Sequence, residues 1–456
     1  MEKVMRFFKI RERNTNIKTE LLAGVTTFLA MAYILPVNSN MLSDAGMPVA
    51  GVFFATVMAS MIAAMVMGFI ANYPVALAPG MGINAFFTYT VVITYGFSWE
   101  AALAAVFISG VLFLILSVSG LRRLIINAIP QELKYAVGAG IGFFITFIGL
   151  KNAGIVTSDP VTFVTLGDLG HPAVLLAIFG LLLVVVLAVR GNKFALIIAI
   201  VTTAIVGLVL GRLGVENMPA FNDQQEGLLA GAGETFFAFV RGFGELLSSP
   251  QALFVIFTFL FVDFFDTAGT LIAVGGRAGL LNEDGELIDG NKALLADSIG
   301  TVAGSMFGTS TVTSYIESST GIEQGGRTGL TTITVGVLFL LSLLIYPLIS
   351  VVTGIYDPIT DKVYSPVTAM ALIMVGTLMV SQLKNINFDD KPVLISAFLT
   401  IVFMIFSFSI AEGIAVGFIF YPLAMLAAKR HKEVNPIMFG LMAFFILYFV
   451  LIVLVG

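Results

Sequence analysis

Long apolar runs separated by short polar or basic stretches set the pattern of this chain. A helix needs about 20 apolar residues to cross a hydrocarbon core of about 30 Å. Runs of that order occupy 20–40, 49–71, 99–120, 134–153, 172–189, 194–211, 252–276, 329–351, 366–383, 392–410 and 412–428, with one more at 435–455. Two shorter Gly- and Thr-rich stretches, 80–96 and 305–324, read as broken segments, and a short apolar run at 292–304 precedes the second. The first run follows the basic stretch 1–19 and shows no small-residue cleavage site, so it reads as a span rather than a secretory leader.

Composition agrees with the pattern. Of 456 residues, 58% are hydrophobic and only 11% charged, with a mean hydropathy of +1.02. Soluble domains carry about 25% charge, so this chain cannot cover its own surface with polar groups. A large soluble enzyme, a nucleic-acid binder and a disordered chain are excluded. The chain has no Cys, hence no disulfide framework, iron–sulfur cluster or thiolate zinc site. Its two histidines, His171 and His431, lie far apart near segment ends, so no metal site or other cofactor is expected.

Basic residues set the expected orientation. Lys3, Arg6, Lys9, Arg11, Arg13 and Lys18 place the N-terminus in the cytoplasm. Counted from there, the loops with Arg122, Arg123 and Lys134, with Arg190 and Lys193, and with Lys429, Arg430 and Lys432 also fall inside. The long acidic loop 212–250 (Glu216, Asp223, Glu226, Glu234, Glu245) falls outside.

The halves echo one another. Thr27-Phe28-Leu29 recurs as Thr258-Phe259-Leu260, and Leu150-Lys151-Asn152 as Leu383-Lys384-Asn385, at nearly equal offsets. Seven spans per half is an odd number, so the second half must be inverted. Inverted repeats with broken helices put substrate and ion sites near the midplane. The expected divisions are a cytoplasmic N-terminus (1–19), a first repeat (20–211), an extracellular loop (212–250), a second repeat (251–428) and a basic segment with a surplus hydrophobic run (429–456).

Polar residues inside spans carry the candidate chemistry. A carboxylate at a span centre costs about 2.5–3.5 kcal/mol on insertion scales, so it should face protein or water. Asp263, Asp266, Thr267 and Thr270 stand at i, i+3, i+4 and i+7 on an otherwise apolar, Phe-rich helix and share one face. That stripe lines either a cavity or a structural hydrogen-bond network. Glu317 sits among hydroxyl residues (Thr309, Ser310, Thr311, Thr313, Ser314 and Tyr315 before it), which favours irregular backbone around a cavity. Asp297 either contacts substrate or braces a neighbouring span. In Ala78-Pro-Gly-Met-Gly-Ile-Asn-Ala-Phe86, the glycines permit close backbone approach and Pro79 removes a donor. Asn84 offers donors and an acceptor, and Phe86 or Phe87 a stacking face. Gly80-Met-Gly82-Ile-Asn-Ala85 also fits a dinucleotide fingerprint superficially, but no βαβ unit surrounds it. The acidic loop beginning at Asn282 lacks calcium-loop spacing. Lys151 and Lys384 are expected to snorkel, and Trp99 to anchor at the interface.

With these motifs the chain resembles the AzgA-like purine permeases, a branch of the nucleobase–cation symporters, over nearly its whole length. The signatures are Thr26-Thr-Phe-Leu-Ala-Met-Ala-Tyr33, Ala78 to Phe86, Asp263-Phe-Phe-Asp-Thr-Ala-Gly-Thr270, Ala296-Asp297-Ser298 and Thr313-Ser-Tyr-Ile-Glu-Ser318. The resemblance implies an all-α polytopic membrane fold of about fourteen segments. These form seven plus an inverted seven, split into core and gate, with short strands in the broken third and tenth segments. It implies that Asp266 and Glu317 hold the base, that Asn84 is the third-segment amide, and that Asp263 and Asp297 serve proton coupling or support. Thr270 stands where the uracil carrier has a His. The implied activity is import of guanine, hypoxanthine or adenine across the cell membrane by symport with a proton, with Na⁺ as the alternative ion. Carriers of this architecture are often dimers, which leaves the chain's oligomeric state open between monomer and homodimer in the lipid bilayer; no nucleic acid is expected.

Chemically, a carboxylate such as Glu317 suits the N1–H and 2-amino donors of guanine, and Phe86 could stack on the ring. Asp266 is the expected proton carrier, because a carboxylate taken out of water holds its charge at a cost. The rivals are an uncoupled facilitator and an anion carrier of the same architecture, although clustered carboxylates repel anions. No nucleophile–base pair suggests an enzyme.

Overall fold

The computed structural model describes residues 2–119, 128–221, 227–282 and 287–455. Arg122, Arg123, Asp223, Glu226 and most of the acidic stretch after Asn282 lie outside the described residues. Among the described residues, nine helices are long and apolar enough to cross a membrane, and shorter apolar helices cover Met81–Thr94, Ala369–Asn385, Lys391–Phe406 and Pro436–Val450. Helices dominate because every backbone group in hydrocarbon must be satisfied within its own segment. The helical, polytopic fold expected from the apolar runs is therefore the fold observed.

The helices sort into two bundles. In the core, Ile17–Met31, Val49–Val66, Trp99–Ser119, Ala252–Arg277, Gly290–Phe307 and Gly329–Leu341 pack on one another. In the gate, Gln131–Asn152 packs on Ala369–Val380 and Lys391–Phe406, while Pro172–Val189 packs on Ala195–Arg212 and Lys391–Phe406 on Ile410–Ala427. Lipid supplies no hydrophobic drive between helices, so small residues that let backbones approach take its place. Gln131–Asn152 and Ala369–Val380 run antiparallel through such contacts. A Cβ on Gly376 would lie 2.4 Å from the Gly142 carbonyl oxygen, and one on Gly149 would lie 3.0 Å from that of Ala369.

The two broken segments meet in the core. Leu77–Pro79 pairs antiparallel with Val312–Ser314 (Leu77 opposite Ser314, Ala78 opposite Thr313, Pro79 opposite Val312), and all six residues are buried. Each strand gives way to a short helix: Met81–Ala85, which continues as a wide-turn helix over Phe86–Thr94, and Ser318–Glu323. The Tyr315 hydroxyl donates to the Pro79 carbonyl oxygen at 2.5 Å and ties one segment to the other. Irregular backbone survives at this depth because protein surrounds it.

The structure adds detail to three stretches. The run 292–304 belongs to a full 18-residue helix, Gly290–Phe307. Its Gly, Ser and Thr lower its apolarity but let it nest against Val49–Val66 and Trp99–Ser119. The loop 212–250 holds two helices, Leu228–Thr235 and Phe239–Ser248. Phe239 stacks on Phe107 at 4.3 Å, so this segment is packed rather than free. The surplus run forms the helix Pro436–Val455, which lies on Ile410–Ala427 of the gate and also touches the core. Tyr448 stacks on Phe254 at 3.6 Å, and Phe445 on Phe418 at 5.5 Å. Arg430 holds its base with bonds to both Asp390 oxygens and to Glu433.

Candidate functional site

Beside the strand crossing lies a cavity of about 150 Å³. Drug-sized ligands occupy roughly 300–1,000 Å³, so this space suits a smaller molecule. Its core wall comes from Tyr33, Gly80 to Gly82, Asp266, Thr270 and Thr313 to Glu317. Its gate wall comes from Val375, Leu378, Met379, Ser381 and Gln382. Flat or flexible apolar surfaces on both sides, with carboxylates on one, fit a planar polar ring.

The polar stripe on Ala252–Arg277 divides. Asp266 and Thr270, one turn apart, face the cavity and are half-buried. Asp263 and Thr267 turn away toward Gly290–Phe307. There Thr301 Oγ1 donates to Asp263 Oδ2 at 3.0 Å, and Thr267 Oγ1 donates to Asp297 Oδ1 at 2.8 Å. Asp263 Oδ1 and Asp297 Oδ2 are buried with no hydrogen-bond partner among the described residues. These two acids thus form a buried group behind the cavity wall rather than part of its lining.

Glu317 sits at the turn between Val312–Ser314 and Ser318–Glu323, which projects its carboxylate into the cavity. Tyr33 donates its phenol to Glu317 Oε1 at 2.7 Å. Tyr33 is itself 1% exposed and lies between Ile17–Met31 and Ile34–Ser43. This bond fixes the carboxylate plane. Tyr33 closes the signature Thr26 to Tyr33, which by itself gives it no role. The available signal was a phenol at the end of an otherwise apolar run, since a buried Tyr hydroxyl needs a partner.

Asn84 and Phe86 lie elsewhere. Asn84 is fully buried in a closed network: its Nδ2 donates to Asn38 Oδ1 at 2.6 Å, and its Oδ1 accepts from Ser310. Asn38 in turn donates to Thr56 and Thr309. Phe86 is fully buried with its ring 4.8 Å from Phe259. Neither lines the cavity. Both lock the broken segments that carry the lining residues.

Gly138, against which Gln382 packs, and Lys151 lie on one helix, from residue 138 to 151, or about 20 Å at 1.5 Å per residue. At the Lys151 end the two bundles are tied together. Asn40 donates to Ser365 at 2.8 Å and to Thr368 at 3.1 Å, and accepts from the Gly354 amide at 3.0 Å. Tyr89 donates to Asp44 at 2.6 Å and accepts from Asn152 at 3.2 Å, while the Lys151 ammonium lies 5.7 Å from the ring centres of Tyr89 and Phe408. The cavity thus sits toward one end of the bundle contact and the hydrogen-bonded tie at the other.

A membrane-embedded core and gate, enclosing a small cavity with two carboxylates on its wall at crossed broken segments, define a carrier of the inverted-repeat type. The model described as the permease family (Xan_ur_permease) matches residues 18–416, and the chain belongs to that family, in its AzgA-like branch. It is 48% identical to the guanine/hypoxanthine permease PbuG of Bacillus subtilis, over 97% of this chain and 99% of that one. It is 41% identical to the adenine permease AdeP of Escherichia coli, over 98% and 96%. The transmembrane domain of a cyanobacterial bicarbonate transporter, BicA, shares the fold with a TM-score of 0.63 at 16% identity, covering 88% of this chain and 97% of that domain.

Proposed function

We propose that this permease imports purine nucleobases across the cell membrane by proton symport, with its N-terminus in the cytoplasm. The observation that carries the reading is that Asp266, on the continuous helix Ala252–Arg277, and Glu317, at the turn of one of the two crossed broken segments, face a single small cavity. A carboxylate accepts hydrogen bonds only, so Glu317 suits the N1–H of hypoxanthine or guanine, and the guanine 2-amino group as well. Met81, Ile316, Leu378 and Met379 supply apolar surface for the ring faces. This role passes from Phe86, whose ring packs on Phe259.

Asp266 is the proton carrier in this reading. It alone of the three helix and neighbour acids, Asp263, Asp266 and Asp297, opens on the cavity. Protonation on the outside favours a loaded, closed state, and release inside empties it. Only different proton affinities in the two states can couple ion to purine. Asp263 and Asp297 support the site from behind. Clustered carboxylates at the cavity disfavour an anion as cargo, despite the shared fold with a bicarbonate carrier.

The test is uptake of labelled hypoxanthine into cells lacking their own purine uptake, competed by a purine panel, with and without a protonophore. Concentrative, protonophore-sensitive uptake is expected, and Asp266→Asn should abolish it. Uptake that ignores the protonophore but needs Na⁺ would replace the proton in this scheme. Accumulation by Asp266→Asn against a gradient would remove Asp266 from coupling.

A further inference from the structure

The gate wall of the cavity is apolar except at its end, where Ala369–Val380 tightens into the turn Ser381–Asn385. Two polar side chains lie there. Ser381 donates its hydroxyl to the Leu378 carbonyl at 2.6 Å, so it is already committed. Gln382 lines the cavity and makes no hydrogen bond to any described residue. Its amide rests where a Cβ of Gly138 would stand, with Oε1 at 2.1 Å and Nε2 at 2.8 Å from that point. Glycine at 138 therefore makes room for the amide at the cavity edge.

The core wall presents carboxylates and hydroxyls. It grips a ring edge rich in N–H groups, and leaves the adjoining edge to the gate. On a purine gripped by its N1–H and C2 edge, that adjoining edge carries N7 and the group on C6. In guanine and hypoxanthine both positions are acceptors. In adenine N7 accepts and the 6-amino group donates, while N1 carries no hydrogen for Glu317, so the gate contact weighs more in its recognition. A glutamine amide offers a donor pair and an acceptor, so it serves either pattern by turning over.

We propose that Gln382 is the specificity-determining residue of this carrier, reading the N7 and C6 edge of the purine from the gate while Glu317 holds the other edge from the core. The inference rests on the purine reading above. It also makes recognition depend on both bundles, so a purine with the wrong edge binds the core yet fails to draw the gate onto it. Glu, which only accepts, should favour the 6-amino group. Arg, which only donates, should favour O6 and N7, as it does on guanine in the DNA major groove.

The experiment measures competition by adenine, guanine and hypoxanthine against one labelled purine, in wild type, Gln382→Glu, Gln382→Arg and Gln382→Leu. A well-made two-point contact discriminates by 1–3 kcal/mol, so the adenine-to-hypoxanthine ratio should move roughly tenfold toward adenine in Gln382→Glu and roughly tenfold the other way in Gln382→Arg. Gln382→Leu should bring the two purines closer together. Binding to purified, folded protein, followed by thermal shift with each base, repeats the ratio where a variant no longer transports. Ratios that stay at the wild-type value in all three variants, or move the same way in Glu and Arg, overturn the proposal while leaving purine transport intact. Wild-type protein that binds and moves none of the three bases overturns the purine reading itself.

Discussion

Tyr33→Phe removes one hydroxyl and little else. The ring stays packed, since Tyr33 is 1% exposed and sits in the main apolar cluster. What is lost is the 2.7 Å bond to Glu317 Oε1. A hydrogen bond to a charged group contributes about 1.5–3 kcal/mol, or roughly ten- to hundredfold in affinity at about 1.4 kcal/mol per tenfold. In the empty carrier water can reach Glu317, because that side chain opens on the cavity, and it offsets the lost donor. A bound purine expels that water. The deficit therefore appears on binding, as a raised KM and a matching loss of equilibrium affinity, with Vmax and the unfolding temperature nearly unchanged. Uptake kinetics and calorimetry on purified protein measure both. In a cycle with Glu317→Gln the two losses should be strongly non-additive. Unchanged affinity with a collapsed Vmax, or fully additive losses, would refute the claim that Tyr33 acts through Glu317.

Three further outcomes follow from the structure. The chain has no cysteine, so Asn40→Cys with Ser365→Cys places one thiol on each bundle where side chains now meet at 2.8 Å; oxidation should stop transport and reductant restore it, and full activity of the oxidised pair would argue against bundle movement. Gly376→Ala puts a methyl group 2.4 Å from the Gly142 carbonyl oxygen and 2.0 Å from Thr146 Oγ1; overpacking costs about 1–3 kcal/mol, so thermal unfolding should come earlier, and an unchanged melting temperature would contradict the close helix contact. In the hairpin Ile355–Asp357/Lys362–Tyr364, the Thr360 hydroxyl, the Ile359 amide and the neighbouring His171 hold the Asp357 carboxyl below the usual carboxylate range. A lowered value in the folded state means a contribution present above the ordinary carboxylate range and lost as pH falls through the lowered value. Hydrogen exchange of this hairpin should quicken on that acid side, and Asp357→Asn should remove the step.

Apolar patterning alone marks a helical membrane protein with broken segments and intramembrane acids. Hydrocarbon imposes length and apolarity on each span locally, so runs such as 49–71 and 172–189 coincide closely with the helices Val49–Ala71 and Pro172–Val189. It also marked Asp266, Thr270 and Glu317, because a polar group placed in a span at a cost must face something. Tertiary structure decided which of the marked groups face the cavity. One helical turn separates Asp263 from Asp266, too little for periodicity to assign them to different neighbours, yet one meets Thr301 and the other the cavity. Asn84 satisfies its amide on Asn38 and Ser310, partners 46 and 226 residues away. Tyr33 meets Glu317 across 284 residues, and Gln382 reaches the cavity because a glycine on another helix leaves room. Such pairings depend on how two halves of a chain cross, and no local pattern of apolar and polar residues encodes that crossing.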